Sequence, residues 1–230
     1  MNDDKNIALE HINNSKFFIF DFDGTLVNLV ELNVRGFREV FARFDISFTQ
    51  EDFMKYISGR GSVDGMRHYL ADYEIYDYDE KQLNIDFDST KKMLIENHFE
   101  EVITKLPGIV EFLEWSASHG KRAVVATSSL RQYANKVLDH YDMTKYFEKI
   151  IDRTDVTHGK PAPDIFNLAR RYFGVTESEC VIFEDSRFGL QAAKDAGVYT
   201  IGILNPGWND KFVYEMADVV IKDYKELIPA

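Results

Sequence analysis

The chain has 230 residues, 45% hydrophobic and 29% charged, which is enough to bury a core and ordinary for a globular protein. A net charge of −12 disfavours nucleic acid and anionic membranes as partners. The single cysteine excludes an intramolecular disulfide framework. With no apolar run of membrane-spanning length and a polar, acidic start, it points to a reducing cytoplasm.

Residues 1–14 form a polar lead-in with some helical character. Phe17-Phe18-Ile19-Phe20 then reads as a strand covered on both faces, the kind found in parallel sheets. It ends in Asp21 and Asp23, followed by Gly24 and Thr25. A lone Asp there commonly caps the next helix. Two acids at the carboxyl end of a buried strand also match the place where open α/β folds bind ligands. From residue 30 to 100 the apolar spacing is helical. Phe37, Val40, Phe41 and Phe44 make one face, Phe53, Met54 and Ile57 a second, and Met66, Tyr69, Leu70 and Tyr73 a third. Thr49 and Asp52 resemble a capping pair, and a further helical stretch runs from Thr90 to Leu106 with Met93, Leu94, Val102 and Ile103.

Beyond residue 107 strands and helices alternate. Strands are expected at Ala123–Ala126, Lys149–Ile151, Val181–Phe183, Thr200–Ile203 and Val219–Ile221. Helices are expected from Ile109 to near Gly120, from near Ser129 through Leu138, from Pro163 to Gly174, and from Ser186 to Gly197. Cys180, beside Val181-Ile182-Phe183, reads as a buried strand thiol. The fold class is α/β, a Rossmann-like, mostly parallel sheet core flanked by helices, with an inserted small all-helical cap domain. The core is expected over 15–29 and 101–230, and the cap over 30–100.

Four places at or after strand ends carry chemistry: Asp21-Phe22-Asp23-Gly24-Thr25, Thr127-Ser128-Ser129, Gly159-Lys160-Pro161-Ala162-Pro163-Asp164, and Glu184-Asp185-Ser186. In a parallel sheet these ends share one edge. Asp21, Asp23, Glu184 and Asp185 would then face Lys160 alone. Two like charges ~4 Å apart at an effective dielectric of ~20 cost about 4 kcal/mol. Such a cluster needs a cation, and carboxylates without His or Cys select a hard one, most simply Mg²⁺. Acids, a lysine and hydroxyl donors together suit a phosphate group, and the helix near Ser129 is expected to offer free backbone N–H groups to an anion. An ionised Asp21 needs no base to attack phosphorus, and Asp23 is placed to protonate a leaving alkoxide.

These motifs, in this order, resemble the haloacid dehalogenase superfamily over about residues 16–205. The resemblance implies an aspartyl-phosphate mechanism with Asp21 as nucleophile and Asp23 as general acid, then base. It also implies Mg²⁺ held by Asp21, the Asp23 backbone carbonyl and Asp185, with Glu184 helping directly or through water. Thr127 and Lys160 would hold the phosphoryl group, with Gly24, Thr25 and Ser128 as further binding residues. An acid at residue 23 points to a phosphate ester, because the superfamily's dehalogenases and phosphonate-cleaving members lack it.

Within the superfamily the pattern looks like the sugar-phosphate phosphatases and β-phosphoglucomutases. The mutases carry Asp-Thr and a His where this chain has Asn28-Leu29 and Asn33, and often a Lys where it has Ser58. A phosphatase acting on a small phosphorylated metabolite is therefore the first reading. A phosphosugar mutase is the second, and an inactive binding scaffold the third. Arg60 either contacts a substrate phosphate or hydroxyl, or faces solvent. The stretch 72–80 reads as surface, and Trp208 as a packed loop residue. Oligomeric state has no signature here.

Overall fold

Phe17–Phe20 forms strand β1, and each of its side chains is buried. The computed structural model describes residues 2–58, 61–205 and 211–229. The remaining strands are β2 (Val27–Asn28), β3 (Thr104–Lys105), β4 (Arg122–Ala126), β5 (Lys149–Ile151), β6 (Cys180–Glu184), β7 (Tyr199–Ile203) and β8 (Val219–Ile221). β1 and five of these make a six-stranded sheet in the order β5-β4-β1-β6-β7-β8, with every neighbouring pair parallel. All five strands expected after residue 107 form. β4 and β7 gain a residue at their starts, and β6 gains one at each end.

The period of two along β1 sorts its side chains between two layers. Phe17 and Ile19 pack with Val124, Ala126, Ile151 and Ile182 beneath two helices, Asp164–Phe173 and Arg187–Asp195. Phe18 and Phe20 face an aromatic layer. The Phe20 and Phe183 rings stack at 4.3 Å, Phe18 and Phe112 lie 5.9 Å apart, and Tyr224 sits 5.4 Å from Phe112. Burying each such side chain stabilises the fold by about 1.5–3 kcal/mol. Apolar cover on both layers explains why the strand shows no polar alternation. It also explains Cys180, whose thiol burial pushes up to about 12.

Local signals set most helix ends. Gly174 takes φ 72 after the helix Asp164–Phe173, as a left-handed terminal residue does. Pro163, expected in that helix's first turn, instead precedes it as the N-cap. The helix expected near Ser129 starts at Arg131. Residues 2–14 are a full helix rather than a partly helical lead-in.

The chain divides into two compact units, one of residues 1–26 with 105–230 and the other of residues 27–104. The second unit is built on the helices Val30–Phe41, Ser62–Asp72 and Glu80–Asn97. Phe37 stacks on Phe87 at 4.1 Å. Tyr69 packs against Phe41 and Phe48 and donates its hydroxyl to the Ser47 carbonyl at 2.6 Å. Thr49 and Asp52 form a reciprocal capping box. The helical pattern read from Thr90 begins at Glu80, because the Asp79 side chain accepts from Gln82 N and caps it there. Tyr73, read on an apolar face, is 49% exposed, and Met93 is 44% exposed. Tyr76 is 73% exposed, as expected of a surface stretch. No described helix is long and apolar enough to cross a membrane.

Phe112, fully buried among Phe18, Trp115, Phe183 and Tyr224, is the strongest test of this packing. Phe112→Ala is expected to cost about 3–5 kcal/mol, whereas Tyr76→Ala should stay within about 0.5 kcal/mol of the parent. Urea unfolding followed by circular dichroism measures both.

Candidate active site

Strand register brings the polar strand ends together. Phe20 is level with Phe183 on one side and with Val125 on the other, so Asp21 comes level with Glu184 and Ala126. Ala126 is level with Ile151, which puts Thr127 beside Asp152. Two backbone bonds extend the ladder past the strands: Asp21 N donates to Phe183 O and Thr127 N to Ile151 O, both at 2.9 Å.

Lys160 is the cation at the centre. Its Nζ donates to Asp21 Oδ1 at 2.5 Å and to Glu184 Oε2 at 2.6 Å, with all three side chains buried. The other Glu184 oxygen accepts from Asp185 N at 3.0 Å, and from Ser186 N and Ser186 Oγ at 2.9 Å. This close seat for Glu184 needs Gly189, where an added Cβ would fall 1.9 Å from Oε2. Asp185 accepts from Thr25 Oγ1 at 3.2 Å and from Asn205 Nδ2 at 3.1 Å, and the same Nδ2 donates to Gly24 O at 2.8 Å. Gly24 is held at φ 80, where a Cβ would lie 2.0 Å from Asp185 Oδ2, so glycine is required twice over. Behind them Tyr224 donates its hydroxyl to Thr25 O at 3.0 Å.

Asp21, Gly24, Thr25, Lys160, Glu184 and Asp185 thus belong to one connected cluster. Asp23 is half-buried, and its charge adds to those that raise the proton affinity of Asp21. Thr127 is buried and Ser128 half-buried on the neighbouring strand end. Of the backbone N–H groups expected to be free beside them, two are already taken. Ser129 N donates to Thr127 Oγ1 at 3.0 Å, and Arg131 N donates to Asp152 Oδ2 at 2.7 Å. The buried Asp152 also accepts from Thr154 N and Oγ1, so it ties the loop after β5 to the helix after Thr127. Gly59, Arg60 and Trp208 lie outside the described residues.

Asn205, Asp152 and Tyr224 escaped the sequence reading. Asn205 and Asp152 follow apolar strands closely, the same signal that marked Thr127 and Glu184. Tyr224 carries no comparable signal.

The charges do not balance. Burial, and then the negative charge of Glu184, push the Asp21 carboxyl up to about 8 against the pull of Lys160. Burial and Glu184 likewise raise Asp185 well above the usual carboxylate range. Burial opposes the charge on Lys160, but Asp21 and Glu184 outweigh it and hold the ammonium protonated. Carboxylate oxygens of Asp21, Glu184 and Asp185 all lie within 4.8 Å of one another. An all-oxygen donor set with excess negative charge fits a hard divalent cation.

The model of the haloacid dehalogenase-like hydrolases matches residues 18–203. A phosphorylated carbohydrates phosphatase of Thermotoga maritima is 29% identical over 211 residues, which cover 91% of this chain and 95% of that protein. The β-phosphoglucomutase of Bacillus subtilis is 29% identical over 195 residues, 82% of this chain and 83% of its own. The crystal structure of CbbY from Rhodobacter sphaeroides in complex with phosphate superposes with a TM-score of 0.79 at 25% identity, covering 93% of this chain and 96% of that one. The chain belongs to the haloacid dehalogenase-like hydrolases, as its four motifs suggested.

The raised Asp21 carboxyl fixes the sign of a pH effect. Folding favours its protonated form, so this contribution to stability is full below its ordinary value of 3.8 and is lost as pH rises through about 8. A bound divalent cation removes that loss by favouring the ionised form. The rise in melting temperature on replacing chelator with a saturating divalent cation should therefore be larger at pH 8 than at pH 6. Asp21→Asn should flatten the difference. Thermal unfolding at the two pH values checks both.

Proposed function

We propose that the chain is a Mg²⁺-dependent phosphatase that hydrolyses a small phosphorylated metabolite, a sugar phosphate by class, through an aspartyl-phosphate on Asp21. The observation that carries this reading is the buried Lys160 bridging Asp21 and Glu184 with Asp185 alongside. A site so over-supplied with carboxylates is suited to receiving a cation together with a phosphoryl group. The names of the Thermotoga maritima phosphatase and the Bacillus subtilis mutase support a sugar phosphate.

In the first step an Asp21 oxygen attacks phosphorus, the bond from phosphorus to the ester oxygen breaks, and Asp23 gives its proton to the departing alkoxide. In the second, Asp23 takes a proton from water. The water oxygen attacks phosphorus and releases inorganic phosphate, returning Asp21 as carboxylate. Lys160 and the hydroxyl of Thr127 hold phosphoryl oxygens, with Gly24, Thr25 and Ser128 lining the same seat. Asp21, Glu184, Asp185 and the Asp23 backbone carbonyl would hold Mg²⁺, whose charge offsets that of the phosphoryl oxygens. The helical residues 30–100 act as the family's cap and select the leaving group, with Arg60 contacting a substrate phosphate or hydroxyl. Cytoplasmic phosphorylated metabolites are the matching substrate pool.

The mutase is kept as a second reading because of the similarity to the Bacillus subtilis β-phosphoglucomutase. Against it stand Asn28-Leu29, Asn33 and Ser58 at the positions where mutases differ. A panel of phosphorylated metabolites assayed with Mg²⁺ is expected to release phosphate. Activity should vanish in excess chelator and in Asp21→Asn, and Lys160→Ala should retain little. β-Glucose 1-phosphate primed with a sugar bisphosphate should give little glucose 6-phosphate; efficient isomerisation would make the mutase reading correct. No turnover and no cation-dependent stabilisation would leave a binding scaffold.

Asp23 is tested through the leaving group. Asp23→Ala should lose roughly 10²–10⁴-fold on an alkyl phosphate. An aryl phosphate leaves without a proton, so the variant should form the aspartyl-phosphate and then stall without its base. Rapid-quench assays should show a burst and a weak steady state. Equal losses on both esters in a well-folded variant would count against an acid–base role.

A further inference from the structure

Asn205 lies two residues beyond β7 and outside all four motifs, yet it is only 1% exposed and its amide lies against the acidic cluster. Its orientation is forced by its surroundings. Nδ2 faces two acceptors, Gly24 O at 2.8 Å and Asp185 Oδ2 at 3.1 Å, and turning the amide over would set oxygen against oxygen at both. The carbonyl oxygen Oδ1 is then buried with no hydrogen-bond partner, one of few such atoms among the described residues. A buried acceptor left unmade bears the full cost of losing its hydration. A donor brought by a bound group would remove that cost. Among the described residues no protein group does so, and the neighbouring carboxylates offer only acceptors when ionised.

We propose that Asn205 is a positioning residue for the divalent cation, an inference that rests on the metal-dependent reading above. Its Nδ2 aims the Asp185 carboxylate, and its Oδ1 accepts a hydrogen bond from a water carried by the cation. Ligands of a metal are commonly oriented by such neighbours, whose loss weakens binding about 10–100-fold. A hard cation with few protein oxygens keeps several waters, and each brings hydrogens that need acceptors. Asn205 also holds Gly24 and Asp185 through one amide, so the backbone just after the nucleophile and the metal-side acid are set together.

The test is calorimetric titration of Mg²⁺ into the full chain without any phosphate ester, with melting curves in chelator. Asn205→Leu, similar in shape but without polar atoms, should bind Mg²⁺ about 10–100-fold more weakly than the parent. Asn205→Asp keeps an acceptor oxygen and adds an attracting charge. It loses the Nδ2 that aims Asp185 but not the acceptor, so it should bind Mg²⁺ more tightly than Asn205→Leu, although its melting temperature in chelator falls at least as far. Asn205→Ala carries the same expectation as the leucine variant should that one fail to fold. A purely structural role predicts that the leucine and aspartate variants weaken alike, in step with their melting temperatures in chelator, and that result would overturn the proposal. So would an affinity in Asn205→Leu within about twofold of the parent, far from the expected loss. If the parent chain itself shows no saturable Mg²⁺ binding, the metal-dependent reading falls and takes this inference with it, an outcome visible before any variant is made.

Discussion

Three carboxylates buried around one ammonium group set the terms for this end of the molecule. Lys160 bridges Asp21 and Glu184 at short range, and Asp185 shares the same small volume. Removing one partner of a buried pair costs on the order of 3–5 kcal/mol, and here the negative side is in excess from the outset. The surrounding chain is arranged to tolerate that excess. Glu184 collects two backbone N–H groups and a hydroxyl, and Asp185 a hydroxyl and an amide. Two glycines, Gly24 and Gly189, remove the methyl groups that would collide with these carboxylates.

Such precision depends on the sheet beneath. β1 has a parallel neighbour on each side, and its register with β6 and β4 is what sets Asp21 level with Glu184 and one strand away from Thr127. The aromatic layer of Phe18, Phe20, Phe112, Phe183 and Tyr224 backs the same strands. Tyr224 links that layer to the site directly, since its ring packs with the phenylalanines and its hydroxyl holds Thr25 O. Packing and chemistry are therefore joined at Thr25, one residue after the glycine that Asp185 cannot do without.

Much of this was legible in the residues themselves. Runs such as Phe17–Phe20 and Val181–Phe183 are too apolar and too short to be anything but buried strands, and acids placed just after them stand out against that background. The misreadings share a cause. The helix after Thr127 begins at Arg131 because a side chain twenty-one residues away in sequence, Asp152, takes the Arg131 N–H. Glu80 starts a helix earlier than the apolar spacing suggested because Asp79 caps it. Asn205 belongs to no motif, and its importance comes from meeting Gly24 and Asp185 across the sheet. Local pattern reveals elements and their faces. It does not reveal which polar group from a distant segment will stop a helix or complete a site.

The placement of β1 also shapes how the chain comes to be folded. It is the first strand of its sheet to be made, yet both of its neighbours, β4 and β6, are made only after the whole helical unit of residues 27–104. At roughly 5–20 residues per second, that interval lasts several seconds. Throughout it, four unpaired apolar residues remain in the nascent chain with nothing of their own sheet to join, the condition under which strands pair wrongly. The helical unit, rich in local contacts, has time to form in the meantime. The strand on which the nucleophile depends is thus the first of its sheet to be made and the one that waits longest for a partner.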